Sequence, residues 1–92
     1  MKGLWFKLGK SLLETRKHPE SMKAMQSAAN EDPTDCYPHY YMGYLHKDAK
    51  QEGAAIRSLQ RFLSLCASPP EKKDVLRDIY DMEVRTGARK PQ

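Results

Sequence analysis

Apolar side chains recur along this chain at three- and four-residue spacings, the period of helices that bury one face. Leu8, Leu12, Met22 and Met25 form one pair of such stripes, and Met42, Leu45, Ile56, Leu59 and Leu63 a second. Val75, Leu76, Ile79 and Tyr80 make a last stripe, which stops near Gly87. The punctuation agrees with this division. Pro19 fits a helix's first turn, and Pro38 is tolerable only because it too falls in one. Asp32-Pro33-Thr34-Asp35 reads as a turn in which Thr34 or Asp35 caps the next helix. In Ser68-Pro69-Pro70-Glu71, Ser68 can cap, Pro69 sits first and Glu71 completes a capping box. The pattern predicts an all-α chain of five helices near 2–17, 19–30, 35–49, 52–66 and 69–86. They would form one domain over 1–87, followed by a frayed tail at 88–92.

The two pairs of stripes are also copies of each other. A shift of 34 residues places Phe6 on Tyr40, Leu8 on Met42, Gly9 on Gly43, Glu14 on Asp48 and Arg16 on Lys50. The same shift lays Ser21-Met22-Lys23-Ala24-Met25-Gln26 on Ala55-Ile56-Arg57-Ser58-Leu59-Gln60, and Thr34 on Ser68. Period and pattern resemble the tetratricopeptide repeat, W-x2-L-G-x2-Y, then A-x3-F, then P. The first unit reads Trp5-x2-Leu8-Gly9-x2-Leu12, Ser21-x3-Met25, Ala28, Pro33; the second reads His39-x2-Met42-Gly43-x2-His46, Ala55-x3-Leu59, Phe62, Ala67. Ser21 stands for the usual Ala, His39 and His46 take aromatic slots, bulky Phe62 takes a small one, and Ala67 replaces the closing Pro.

The resemblance implies antiparallel helix pairs stacked as a short superhelix, with repeats at about 2–35 and 36–69 and a capping helix at about 69–86. Gly9 and Gly43 would let the helices of each pair approach closely, with Ser21 and Ala55 as small counterparts. The cap would cover Phe62, Leu63 and Leu65, while the N-terminal edge around Leu4, Phe6 and Leu13 would stay partly uncovered.

Composition narrows the function classes. With 92 residues, 39% hydrophobic and 30% charged, the chain suits one globular domain rather than a disordered one. No apolar run reaches the ~18 residues of a membrane span. Lysines interrupt the apolar residues at the N-terminus, so no secretory signal is expected there, and the expected location is cytoplasmic. A net charge of +4 favours acidic partners but falls far short of the Lys/Arg blocks of a dedicated nucleic-acid binder. Cys36 and Cys66 are too few for a disulfide framework and lack C-x-x-C spacing. They read as ordinary semi-buried thiols in a reducing compartment. The alternative is a disulfide, since one begins a helix and the other ends its antiparallel partner.

In tetratricopeptide repeats the first helix of each pair lines a concave groove that takes peptide or helical segments of partners. By resemblance the groove would display Phe6, Lys7, Lys10 and Leu13, then Tyr37, Tyr40, Tyr41, Tyr44 and Lys47, then Asp74, Asp78 and Asp81. The four tyrosines share one helical face and supply large rings with polar tips, a composition enriched in binding surfaces. The other reading of them is packing against neighbouring helices. Some family members clamp a partner's terminal carboxylate with basic side chains; the matching places here hold Phe6, Lys10, Tyr41, Glu71 and Val75, with one cation, so that mode is not expected.

The expectation is therefore a protein-binding adaptor, scaffold or chaperone-like module, with no enzymatic activity, metal or cofactor. Single-stranded nucleic acid on the lysine and tyrosine face is an alternative, opposed by the aspartates. Another is self-association through the apolar N-terminal edge. Cys36, His39 and His46 share a helix, but two histidines two turns apart stand roughly 10 Å from each other, too far to share a metal. Gly9-Lys10-Ser11 lacks the upstream glycine of a phosphate loop, and no other catalytic motif is present.

Overall fold

The computed structural model describes residues 4–87, and within them the protein is all-α with no strand. The helices are α1 (Leu4–Glu14), α2 (His18–Glu31), α3 (Tyr37–Asp48), α4 (Glu52–Leu65) and α5 (Lys72–Thr86). Lys2 and Gly3, expected to open the first helix, and the tail from Ala88 to Gln92 lie outside the described residues.

The 34-residue period is a period of structure as well as of sequence. After α1, the Arg16 and Lys17 amides donate to the Leu13 and Leu12 carbonyls; after α3, Lys50 and Gln51 donate to Lys47 and His46. The bonds of each set are related by 34 positions. Arg16 and Lys50 both adopt left-handed backbone, with φ of 62° and 61°. These turns end the first helix of each pair at Glu14 and Asp48, so the expected extension of the first helix to residue 17 is corrected: Thr15 to Lys17 form the turn.

Each pair is closed by its glycine. A Cβ on Gly9 would lie 2.8 Å from Met25 Cε, and one on Gly43 would lie 2.6 Å from Leu59 Cγ and Cδ2. Met25 and Leu59 are themselves repeat equivalents, so one close approach is built twice. The unusual Ser21 is fully buried, and its hydroxyl donates to the Gly9 carbonyl at 2.7 Å, which satisfies both groups across the helix pair.

Two apolar clusters result. Met25, Met42 and Leu45 join α2 to α3, with Phe6, Leu13, Met22 and Tyr41 packed around them. Ala55, Leu59 and Phe62 of α4 meet Val75, Ile79 and Met82 of α5, with Cys36 in the same cluster. Gly87 ends α5 in left-handed backbone at φ 81°, where only glycine escapes a steric cost.

Two further expectations are corrected. Cys36 and Cys66 are joined as a disulfide, with Cα atoms 5.9 Å apart, rather than being two thiols. The antiparallel hairpin brings the residue before α3 beside the residue after α4, and Cys36 is buried there. Second, α5 begins at Lys72, not Pro69; Glu71 stands at its N-cap and no side chain caps it. The Lys72 amide donates to the Pro69 carbonyl, so Pro69-Pro70-Glu71 is spent on a turn. At the N-terminal edge Leu4 is bare as expected, joined by Trp5 and Leu8, at 62%, 42% and 43% exposure, while Phe6 and Leu13 are half-buried against the first cluster. The N-cap position of α3 falls to Cys36 rather than Thr34 or Asp35, although the Asp35 carboxylate accepts the Tyr37 amide at 3.1 Å.

Candidate functional site

The α3 tyrosines lie between α1 and α5, all four half-buried. Tyr40 is the centre of the group. Its ring stands 6.2, 5.2 and 5.0 Å from those of Tyr37, Tyr41 and Tyr44, in edge-on arrangements. Phe62, fully buried in α4, forms the floor at 5.1 Å from Tyr40 and 5.5 Å from Tyr37. In the first unit the equivalent position holds Ala28. The bulky residue at a small slot thus supplies a ring for two of the tyrosines to pack on. On the other side Tyr41 meets Phe6 of α1 at 5.5 Å, and the Lys10 ammonium stands 5.8 Å from the Phe6 ring. A continuous aromatic row therefore runs from α1 across α3.

Its far end is tied to α5. The Tyr37 hydroxyl donates to Glu71 at 3.3 Å and the Tyr44 hydroxyl to Asp78 at 2.5 Å. Both pairs are separated by 34 residues, because equivalent positions of successive first helices stand side by side. Lys47 completes this corner, 4.0 Å from Asp78 and 5.6 Å from the Tyr44 ring centre.

Burial, then the neighbouring carboxylates, raises the Tyr37 and Tyr40 ionisations above the ordinary tyrosine value. Tyr44 is raised furthest, by burial first and then by its bond to Asp78. A tyrosine raised in this way keeps its proton where the unfolded chain has lost it. Its contribution to stability is whole below pH ~10, the ordinary value, and declines as pH rises toward the folded value. Chemical denaturation at a series of pH values should show stability falling above pH ~10, and Tyr44→Phe should flatten that fall. An unchanged slope in the variant would remove Tyr44 as its source.

The structure gathers some expected site residues and leaves others apart. Phe6, Lys10, Tyr37, Tyr40, Tyr41, Tyr44, Lys47 and Asp78 form one connected surface. Lys7 and Asp81 are exposed and enter none of its contacts, Leu13 serves the core, and Asp74 pairs with Arg77 at 3.2 Å. Glu71, expected as a capping residue and at one of the family's clamp places, also belongs to the surface. Its signal was available in the offset of 34 from Tyr37.

Among the described residues no three His, Cys, Asp or Glu side chains converge as a metal site. Cys36 is held in the disulfide, His46 Nδ1 pairs with Gln51 Oε1 at 2.9 Å, and His39 has its ionisation lowered by burial and then by Arg61. An apolar hollow of about 210 Å³ opens where α2 begins, walled by Met22, Leu45 and Ala49 together with His18 and His46. No described helix is long and apolar enough to cross a membrane.

Compared with protein-family models, with curated proteins and with solved structures, the chain finds no match.

Proposed function

We propose that the chain is a protein-binding module of the tetratricopeptide-repeat kind, taking a peptide or helical segment of a partner on the tyrosine surface of α3. The observation that carries this reading is the aromatic row itself, held between the basic side chains of α1 and the acidic ones of α5. Hydroxyl bonds to Glu71 and Asp78 fix two of its tyrosines before any partner arrives, which reduces the ordering cost of association. The 34-residue repetition of turns, glycine contacts and helix lengths supports the family reading. The role that follows is an adaptor or scaffold rather than an enzyme. Single-stranded nucleic acid is disfavoured by the carboxylates beside the rings.

Exposed Leu4, Trp5 and Leu8 support a second reading, association of copies through α1. They are the repeat equivalents of Pro38, His39 and Met42, of which Pro38 and Met42 are buried. As for location, the disulfide suits an oxidising compartment better than the reducing cytoplasm expected from the sequence.

Affinity capture from source-cell lysate tests the groove. The Tyr40→Ala/Tyr44→Ala variant should lose the captured partner by tenfold or more while remaining helical. Because those rings also pack on Phe62, Lys7→Glu/Lys10→Glu is the companion variant, changing exposed charges alone. A partner retained by both variants would move the interface to Leu4, Trp5 and Leu8.

A further inference from the structure

We infer that the groove selects a segment carrying an arginine or lysine at the α5 end and an aspartate or glutamate at the α1 end. This rests on the peptide-groove reading and adds the partner's charge pattern and its direction. The carboxylates and ammonium groups around the aromatic row are not equally satisfied. In the middle, Asp78 has Lys47 at 4.0 Å, and Asp74 has Arg77 at 3.2 Å. At the α5 end, Glu71 accepts only the Tyr37 hydroxyl, and no basic side chain of the described residues forms an ion pair with it. At the α1 end, neither Lys10 nor its exposed neighbour Lys7, which lies outside the row's own contacts, forms an ion pair with a described carboxylate; Lys10 has only the Phe6 ring. The uncompensated charges thus sit at the two ends of the row and have opposite sign.

Glu71 also lies beside aromatic surface. A guanidinium can donate to its carboxylate in a forked pair and lay its plane on a tyrosine face, two interactions that reinforce each other. The Tyr37 hydroxyl bonds to it, which places that ring next to the carboxylate, and the Tyr40 ring stands 6.2 Å beyond. The span is set by helix packing. Glu71 and Lys10 stand two repeats apart across the row and seven residues out of register, about 10 Å along the helix axes, so the charges of the partner lie on a diagonal of roughly 20 Å or more. An extended segment covers that distance in about six or seven residues. Apolar or aromatic residues fill the interval over Tyr40 and Tyr41.

A displayed library of random octapeptides, selected on the intact chain and sequenced, tests this. Selected peptides should be enriched in arginine or lysine near one end and in aspartate or glutamate near the other. Repeating the selection on Glu71→Gln, with helicity verified by circular dichroism, should abolish the basic enrichment and leave the acidic one. Lys7→Gln/Lys10→Gln should do the reverse. Enriched peptides without this charge pattern, or a basic preference that survives Glu71→Gln, would overturn the inference and leave the groove reading intact. Failure to enrich any peptide would overturn both.

Discussion

Replacing Cys36 and Cys66 together by alanine is expected to lower the free energy of unfolding by about 3.5 kcal/mol, the chain-entropy value for a closed loop of this size. The bridge joins residues separated by 30 positions and holds the entrance of α3 against the exit of α4. Without it the unfolded chain gains freedom, and the Tyr37 and Tyr40 end of the row loses its anchor to the base of the hairpin. A small domain has a total stability of about 5–15 kcal/mol, so the loss is a large fraction of the whole. Urea denaturation with and without a thiol reductant measures it. The wild type should lose midpoint on reduction, and the double-alanine variant should be insensitive. Equal wild-type midpoints in both conditions would show that the bridge contributes nothing.

Gly43→Leu should have the larger structural effect, unfolding the second helix pair. Even a Cβ at this position comes within 2.6 Å of the Leu59 branch point and 3.4 Å of the Ala55 carbonyl oxygen. Leu59 is fully buried and cannot swing aside. Overpacking of this kind costs about 1–3 kcal/mol for modest additions, and an isobutyl group exceeds them. Gly9 offers an internal comparison. There the nearest atom is the terminal methyl of Met25, the far end of a flexible side chain. Gly9→Ala should therefore be nearly neutral, its helix-propensity gain of up to about 1 kcal/mol offsetting the small shift. Gly43→Ala should be clearly destabilising. Thermal melts order the three variants, and hydrogen exchange over residues 37–65 reports local loss of the pair. If Gly43→Leu melts like the wild type, the close approach at Gly43 is not a constraint on the fold.

These predictions use contacts whose outline was visible in the sequence to different degrees. The helices and the period were legible because each rests on local physics: apolar spacing, prolines in first turns, and paired glycines where helices touch. The position of α5 was not. Ser68 to Glu71 carries the residues of a capping box, but two consecutive prolines are accommodated in a turn and the helix starts after them. The disulfide was legible only as an alternative, since cysteine count and spacing say nothing of how closely two helix ends approach. At the site, the tyrosine cluster could be read from helical spacing, whereas Phe62 looked like a departure from the pattern. Its role as the floor beneath Tyr37 and Tyr40 appears only once α4 is packed under α3. Glu71 was read as a capping residue and as a place where the family's basic clamp is missing; its bond to Tyr37 follows only from pairing it with the residue one repeat earlier.

The two left-handed turn residues, Arg16 and Lys50, give the molecule a further property. Non-glycine residues in this conformation cost roughly 1–2 kcal/mol each, and both turns keep the same length and bonding despite that cost. They act as a gearing between sequence position and rotation about each helix axis. One added residue advances a helix by about 100°. An insertion after Lys50 would thus turn α4 out of phase with α3 and carry Phe62 away from beneath the rings. The aromatic surface consequently depends on the length of a solvent-exposed turn as well as on the residues it displays.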